Sequence, residues 1–286
     1  MGELATALES IEVEARGFRY SGIAAGPKDG DLVLFLHGWP EFADSWTELV
    51  RAIGADGYRA VALDQRGYAP GARPEPESAY AIDELVADVL AFADALGRPR
   101  FHLVAHDWGA IVGWYVAARH GERLGSFTSL AIPHMAALAE AIANDPDQQK
   151  RSAYVQMFRA PGNVAEKTLM GNGAAALRAV YEGKFSPEHV DENVRRFKEN
   201  GALTASLNWY RAYGFDGQLA PVAVPTLYVW SDRDRALGER AARNTSAHMT
   251  GPYRFEVLEG VSHWIPVEAP DRVAPLLREH LTAHPL

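Results

Sequence analysis

The sequence lacks cysteine altogether in its 286 residues. This absence excludes disulfide bonds, thiolate nucleophiles and thiolate metal sites, and it is compatible with a reducing compartment. No uncharged apolar run approaches the roughly 18 residues of a membrane span. The first residues also lack the basic and apolar regions of a signal peptide. We therefore expect a cytoplasmic protein that does not bind membranes.

The sequence also has fewer positively than negatively charged residues. Lys and Arg number 28 against 37 Asp and Glu, which gives a formal net charge of −9. A negative field without any Lys/Arg-rich run repels nucleic acids and anionic membranes. No internal repeat or low-complexity block is present. Small neutral molecules are the expected partners, and the sequence does not specify an oligomeric state.

Strand-like and helix-like segments alternate through the first half of the chain. Such repeated strand–helix–strand units imply a mostly parallel sheet with helices on both faces. Short apolar runs predict the buried strands, and the segments between them have helical periodicity. The predicted strands are 31–36, 58–63, 101–105 and 126–132, and the predicted helices are about 41–54, 79–97 and 109–120.

The strand signal fades between about 135 and 217 and returns at 226–230 and 253–258. We predict one α/β core, formed by residues 1–134 and 218–286, and a helical cap inserted at 135–217. Ligands of open α/β sheets bind outside the carboxyl ends of the strands. The residues that follow each strand are therefore the candidates for a functional site.

The strand at 101–105 runs into AHDWG (105–109), and a helix follows. Small residues on both sides of a central residue permit the sharp strand–turn–helix bend of a nucleophile elbow. The usual central residue is serine, but no Gly-x-Ser-x-Gly occurs in this chain, and Asp107 occupies the position. Either Asp107 is a carboxylate nucleophile, or it only caps the helix that follows.

Two later strand ends supply an acid and then a histidine. The strand at 226–230 is followed by Asp234, and the strand at 253–258 is followed by His263. Nucleophile, acid and histidine occur in this chain order in α/β-hydrolase folds. We predict His263 as the general base and Asp234 as the acid that orients it.

The turn HGWP (37–40) follows the strand at 31–36. It can direct the backbone N–H of Trp39 toward the space above Asp107, and the N–H of Trp108 is the expected second donor. Together they would form an oxyanion hole. For His37 itself we expect a structural hydrogen bond within the turn.

These motifs together resemble the epoxide hydrolase and haloalkane dehalogenase branch of the α/β-hydrolases, over about residues 18–280. The resemblance implies an α/β-hydrolase fold with an inserted helical cap and no cofactor or metal. Two positions depart from the usual pattern: Ala105 stands where many elbows have glycine, and Trp39 stands where epoxide hydrolases often have Phe and dehalogenases often have Asn. The resemblance rests on HGWPEFADSW (37–46), DQRGY (64–68), VAHDWGA (104–110), the Asp234 turn and GVSHW (260–264).

A carboxylate nucleophile limits the chemistry. Serine attacking a saturated carbon would give a stable ether, whereas Asp107 would give an ester that water can cleave. Asp107 therefore indicates an epoxide or an alkyl halide as substrate. A halide leaves as a stable anion. The alkoxide of an opened epoxide is about as basic as hydroxide, whose conjugate acid has a pKa of ~15.7, so it needs an acid such as tyrosine.

The resemblance supplies two tyrosines for this task. Tyr154 in SAYVQMFRAPG and Tyr210 in LNWYRAYG are similar in setting to the cap tyrosines that activate the oxirane oxygen of epoxide hydrolases. We predict an epoxide hydrolase that converts an epoxide and water into a vicinal diol. The alternatives are a haloalkane or haloacid dehalogenase with the same three catalytic residues, and a non-catalytic ligand-binding relative. The expected apolar pocket walls are Trp39, Trp108, Met157, Phe158 and Trp209.

Overall fold

The computed structural model describes residues 7–214 and 217–286. Within them, the strands of the sheet are β1 (Glu9–Ala15), β2 (Phe18–Ala25), β3 (Leu32–Leu36), β4 (Arg59–Leu63), β5 (Phe101–His106), β6 (Leu124–Leu130), β7 (Thr226–Ser231) and β8 (Tyr253–Leu258). Their order in the sheet is β1-β2-β4-β3-β5-β6-β7-β8. Only the pairs β1–β2 and β2–β4 are antiparallel. The predicted mostly parallel sheet is confirmed.

Helices cover both faces of the sheet and fill the long connection between β6 and β7. They are α1 (Thr47–Ala55), α2 (Ile82–Ala95), α3 (Trp108–Arg119), α4 (Met135–Asn144), α5 (Pro146–Arg151), α6 (Tyr154–Phe158), α7 (Val164–Val180), α8 (Pro187–Phe197), α9 (Ala202–Ala212), α10 (Glu239–Asn244), α11 (Ile265–Glu268) and α12 (Pro270–Ala283). Among the helices of residues 7–214 and 217–286, none has both the length and the apolar character needed to cross a bilayer.

The central strands are apolar throughout because both of their faces are covered. In β3, Leu34 and Leu36 pack into the core on one side of the sheet, while Val33 and Phe35 pack into the core on the other. Alternate side chains of a strand point to opposite faces, so a strand with two buried faces shows a continuous apolar run. This is why the sequence locates these strands.

Two features of the sheet differ from the sequence prediction. β6 ends at Leu130 rather than at 132, because Ala131 has a φ of 70° and the extended backbone stops there. The hairpin of β1 and β2 was not predicted. Its strands lie at the sheet edge, and β1 is largely exposed. The signal that could have found it is the turn Arg16-Gly17, where both residues have positive φ, as tight hairpins require.

The helices between β6 and β7 lie over the carboxyl end of β3. The hydroxyl of Tyr181 donates to the Pro40 carbonyl at 2.9 Å. The side chains of His189 and Asn193 contact the buried Glu41 carboxylate at 2.9 and 3.3 Å. Pro40 and Glu41 belong to the turn that follows β3, so these contacts bring the helical segment over the carboxyl edge of the sheet.

Candidate active site

The turn between β5 and α3 places Asp107 in a strained backbone conformation. Its φ of 49° and ψ of −124° lie outside the regions favoured by residues other than glycine. Two glycines avoid steric clashes in and beside this turn. A Cβ on Gly109 would lie 2.3 Å from the Leu36 carbonyl oxygen, and one on Gly38 would lie 2.3 Å from Asp107 Cβ. The backbone therefore has the strand–turn–helix shape that the 105–109 pattern predicts.

Backbone amides from two turns hold the Asp107 carboxylate. Trp39 N–H donates to Oδ1 at 2.8 Å, and Trp108 N–H also bonds to the carboxylate. Asp107 occupies the N-cap position of α3, but the usual capping bond to a later N–H of this helix is missing. These contacts favour the oxyanion-hole interpretation over the capping alternative. The Trp39–Pro40 peptide in the donor turn is cis.

His263 follows β8 and lies between two carboxylates. Its Nδ1 donates to Asp234 Oδ2 at 2.8 Å, and its Nε2 lies 3.4 Å from Asp107 Oδ2. Asp234 follows β7, and its Oδ1 accepts the N–H groups of Ala236 and Leu237 at 2.7 and 2.9 Å. The structure thus brings together the three residues that the sequence assigns to nucleophile, base and acid.

The positive charge of His263 and the negative charges of Asp107 and Asp234 stabilise one another. Burial would lower the pKa of His263, but the Asp234 and Asp107 carboxylates overcome this effect and raise it to about 10. Burial would raise the pKa of Asp107, but the hydrogen bond and the charge of His263 bring it below its ordinary value. Both shifts favour an imidazolium between two carboxylates before substrate binds.

Two other histidines near the site make structural contacts. His106 Nε2 donates to the His263 carbonyl at 2.9 Å. His37 Nδ1 donates to the Gly38 carbonyl at 3.0 Å, and its Nε2 accepts the Gln65 N–H at 3.2 Å. Burial lowers the pKa of both rings to about 4, so both are neutral near pH 7. His37 has the structural role expected of it.

Two cavities meet above Asp107, and Tyr154, Tyr210 and Ala236 line both of them. Their remaining walls come from different elements. The first lobe, about 280 Å³, has apolar walls from α3, α4 and two loops: Ile111, Ile132, Leu138, Ile142 and Leu237. The second lobe, about 320 Å³, is lined by residues that include Trp39, Met157, Phe158, Leu169 and Val180.

The two predicted tyrosines lie where these lobes meet. Their ring centroids are 6.3 Å apart. Tyr154 in α6 keeps 38 % of its surface exposed because it faces the cavities, whereas Tyr210 in α9 is buried. Burial raises the pKa of both hydroxyls, and the negative charge of Asp107 adds to this effect. Both tyrosines are therefore protonated hydrogen-bond donors at neutral pH.

The known family that matches this architecture is described as the alpha/beta hydrolase fold, and its profile covers residues 31–270. This chain belongs to the α/β-hydrolase family. The predicted fold class is confirmed.

Individual relatives of this α/β-hydrolase confirm the predicted resemblance. It is 33% identical to the AB hydrolase superfamily protein YfhM of Bacillus subtilis, and 30% identical to epoxide hydrolase A of Mycobacterium tuberculosis; each alignment covers 94% of this chain and 96% of the relative. The crystal structure of epoxide hydrolase A from Mycobacterium thermoresistibile superposes with a TM-score of 0.85 at 27% identity, over 98% of this chain and all of that one.

The pocket walls of this hydrolase differ in part from the sequence prediction. Trp39, Met157 and Phe158 line the second lobe, and Trp108 lines the first. The sequence analysis predicts Trp209 as a wall residue, but its side chain lies one layer behind the cavity wall. Its indole N–H donates to the Arg66 carbonyl at 2.9 Å, and its ring packs edge-on against Trp108. The aliphatic walls of the first lobe were not predicted, because such side chains cannot be told from ordinary packing residues in a sequence.

Within residues 7–214 and 217–286, no group of three or more His, Asp or Glu side chains has the arrangement of a metal site.

Proposed function

We propose that this α/β-hydrolase converts epoxides into vicinal diols through a covalent ester on Asp107. The observation that carries the proposal is an aspartate in the elbow, with two tyrosines on the opposite side of the cavity. Relatives named epoxide hydrolases, among them proteins of Mycobacterium tuberculosis and mouse at 30% identity, support it. The substrates are small epoxides and water.

In the first step, Asp107 Oδ2 attacks a ring carbon. The carbon–oxygen bond of the ring breaks, and its electron pair goes to the ring oxygen. Tyr154 and Tyr210 donate hydrogen bonds to that oxygen and supply the proton that it needs. Oδ1 stays in the oxyanion hole, where Trp39 N–H already holds it. Ester formation therefore needs no movement of the donors.

In the second step, water attacks the ester carbon of Asp107. Alkylation has removed the negative charge of Asp107, which is one of the charges that raise the pKa of His263. The pKa of His263 therefore falls, and the imidazolium gives up its proton, which passes through solvent to the tyrosinate left by the first step. The neutral imidazole then takes a proton from the attacking water while Asp234 orients it. The tetrahedral oxyanion forms on Oδ1, within reach of the two backbone donors. Its collapse breaks the ester bond, and the leaving oxygen takes the remaining proton of the attacking water, which releases the diol and restores the carboxylate.

The helical segment between β6 and β7 is proposed as the cap of this site, inserted at 135–217 between core parts 1–134 and 218–286. It supplies both tyrosines and most of the walls of the second lobe. The cytoplasmic location expected from the sequence stays a prediction, and fractionation of the native host would test it. Gel filtration would establish the oligomeric state.

The ester intermediate is tested by a single turnover in ¹⁸O-water with excess enzyme. Water attacks the ester carbon, so the label enters the Asp107 carboxylate, and the first diol formed carries none from solvent. Mass spectrometry of the peptide that contains Asp107 gives the readout. Label in the first diol with none in Asp107 would mean direct attack of water on the epoxide.

The substrate class is tested by offering styrene oxide and 1-chlorohexane side by side. We expect diol from the epoxide and little or no chloride from the haloalkane, because the two tyrosines suit an alkoxide leaving group and Trp39 stands where dehalogenases often have Asn. Chloride release that exceeds diol formation would identify a dehalogenase. Neither product, together with unmodified Asp107, would identify a ligand-binding relative.

A further inference from the structure

Gln148 is a completely buried amide in the short helix α5. Its Oε1 accepts the backbone N–H of Gly238 at 2.8 Å. Its Nε2 donates to the Ala236 carbonyl at 2.8 Å and to Ser152 Oγ at 3.0 Å. The amide therefore uses its oxygen and both of its N–H groups. Burying an amide is unfavourable unless it is bonded in this way, so the arrangement fixes both sides of the contact.

The backbone that Gln148 holds is the loop of Asp234. Ala236 is bonded on both sides: its carbonyl accepts from Gln148, and its N–H donates to Asp234 Oδ1 at 2.7 Å. Arg151, one turn after Gln148, donates to the Asp234 carbonyl. The other carboxylate oxygen, Oδ2, is thereby left directed at His263.

The same amide also reaches the helix that carries Tyr154. Ser152 accepts from Gln148 and lies two residues before Tyr154. Backbone hydrogen bonds also link Gln148 to the start of α6. Ser152 N–H donates to the Gln148 carbonyl at 2.9 Å, and Val155 N–H donates to the Ser152 carbonyl at 3.1 Å. Gln148 therefore lies between the loop of the acid and the start of α6.

We propose that Gln148 is a positioning residue for the hydrolysis step: its amide fixes the loop 234–238 to α5 and so keeps Asp234 Oδ2 on His263 Nδ1. The inference rests on the proposed function, because it assigns Gln148 to one of the two steps. Tyr154 is also held by its packing against Phe158 and Tyr210. Loss of the Gln148 bonds should therefore disturb the Asp234–His263 contact more than the tyrosines.

The test is Gln148→Met, which keeps nearly the same volume and removes all three side-chain hydrogen bonds. The matched control is Asn244→Leu. The Asn244 amide also joins the segment between β6 and β7 to the core, through Glu140 at 2.8 Å, but it does not touch the acid loop. Arg151→Met is a second variant in case Gln148→Met does not fold, since the Arg151 side chain is partly exposed.

Rapid-mixing kinetics with styrene oxide separate alkylation from hydrolysis. For Gln148→Met we expect hydrolysis of the ester to slow about tenfold, because a misplaced base loses its alignment with the water, and alkylation to change by less than about threefold. The acid limb of the hydrolysis rate should move to lower pH, because a loosened Asp234 no longer supports the charged imidazole. Asn244→Leu should leave both steps and the pH profile unchanged.

Equal slowing of both steps with an unmoved pH profile would overturn the proposal and leave Gln148 a merely structural residue. So would unchanged kinetics. A second readout does not depend on activity: NMR titration of the His263 ring nitrogens in the resting protein. A lower pKa in Gln148→Met than in the wild type supports the proposal, and an unchanged one contradicts it. Wild-type protein that forms no ester would instead contradict the proposed function, and the titration would still decide the role of Gln148.

Discussion

His263 at the carboxyl end of the parallel sheet and two histidines at its amino end are all buried, but burial affects their charge in opposite ways. At the carboxyl end, His263 lies between Asp234 and Asp107, and these carboxylates raise its pKa to about 10. At the amino end, His102 in β5 and His280 in α12 are also buried, but burial and neighbouring positive groups lower their pKa to about 4. One ring thus carries a charge at neutral pH, whereas the other two are neutral.

The contacts explain the difference. His263 Nδ1 has a carboxylate partner at 2.8 Å, whereas His102 Nδ1 has the hydroxyl of Ser126 at the same distance. Within the described residues, the Nε2 atoms of His102 and His280 have no hydrogen-bond partner. A buried histidine held by carboxylates keeps a proton at neutral pH, whereas burial without such partners leaves the ring neutral. Burial alone therefore does not mark a catalytic histidine.

The strongest test of this contrast is His263→Gln. Because the base acts on water only in the second step, alkylation should proceed and the ester should persist. We expect hydrolysis to slow by about 10³-fold, within the range of general-base contributions. Intact-protein mass spectrometry after addition of styrene oxide should show an adduct of substrate mass. A matched substitution at the other end of the sheet, His102→Gln, should leave hydrolysis unchanged.

Folded His263→Gln protein that stays unmodified would place the base elsewhere. His106 would be the next candidate, although its Nε2 already donates to the His263 carbonyl. Adduct formation followed by wild-type hydrolysis would lead to the same conclusion.

Substitutions of Tyr154 and Tyr210 give the next largest effect. Tyr154→Phe or Tyr210→Phe removes one donor to an oxygen that gains charge as the ring opens. The loss should therefore appear in the alkylation rate more than in binding. Removing one such donor typically costs ~10²–10³ in rate, and we expect the lower end because the second tyrosine remains. The double variant should lose nearly all alkylation, while hydrolysis of a preformed ester should be almost unchanged.

Rapid-mixing kinetics with styrene oxide would measure both steps. Phe158→Leu serves as the control, since it changes an aromatic neighbour of both tyrosines without removing a hydroxyl. A folded double variant that opens epoxides at the wild-type rate would contradict the assignment, and halide release would then be the assay to follow.

The sequence predicts the parts of this site that depend on local spacing. Asp107 is found because an elbow needs small residues at fixed positions beside it, and β3 and β5 are found because they are buried on both faces. Trp209 was predicted to lie on the cavity wall, like its neighbour Tyr210. Adjacent residues of a helix point about 100° apart, however, so only Tyr210 reaches the cavity. Gln148 could not be found, since its partners Ala236 and Gly238 lie 88 and 90 residues away in the chain.

The smallest expected effect concerns the pH dependence of stability. It has one sign for His263 and the opposite sign for His102 and His280. The pKa of His263 is raised in the folded protein, so its contribution is present below pH ~6.5 and is lost as the pH rises toward 10. The pKa values of His102 and His280 are lowered to about 4, so their contribution is present above pH ~6.5 and is lost as the pH falls toward 4.

Linkage gives about 2 kcal/mol of unfolding free energy lost per amino-end histidine between pH 7 and pH 5. His280→Met removes one of these groups, so its urea-unfolding free energy should fall less steeply over that range than that of the wild type. The control is His120→Gln, which replaces a histidine at the surface with 37% of its side chain exposed. If His280→Met were as sensitive to acid as the wild type, His280 would already be charged in the folded protein, and the contrast between the two ends of the sheet would be lost at that residue.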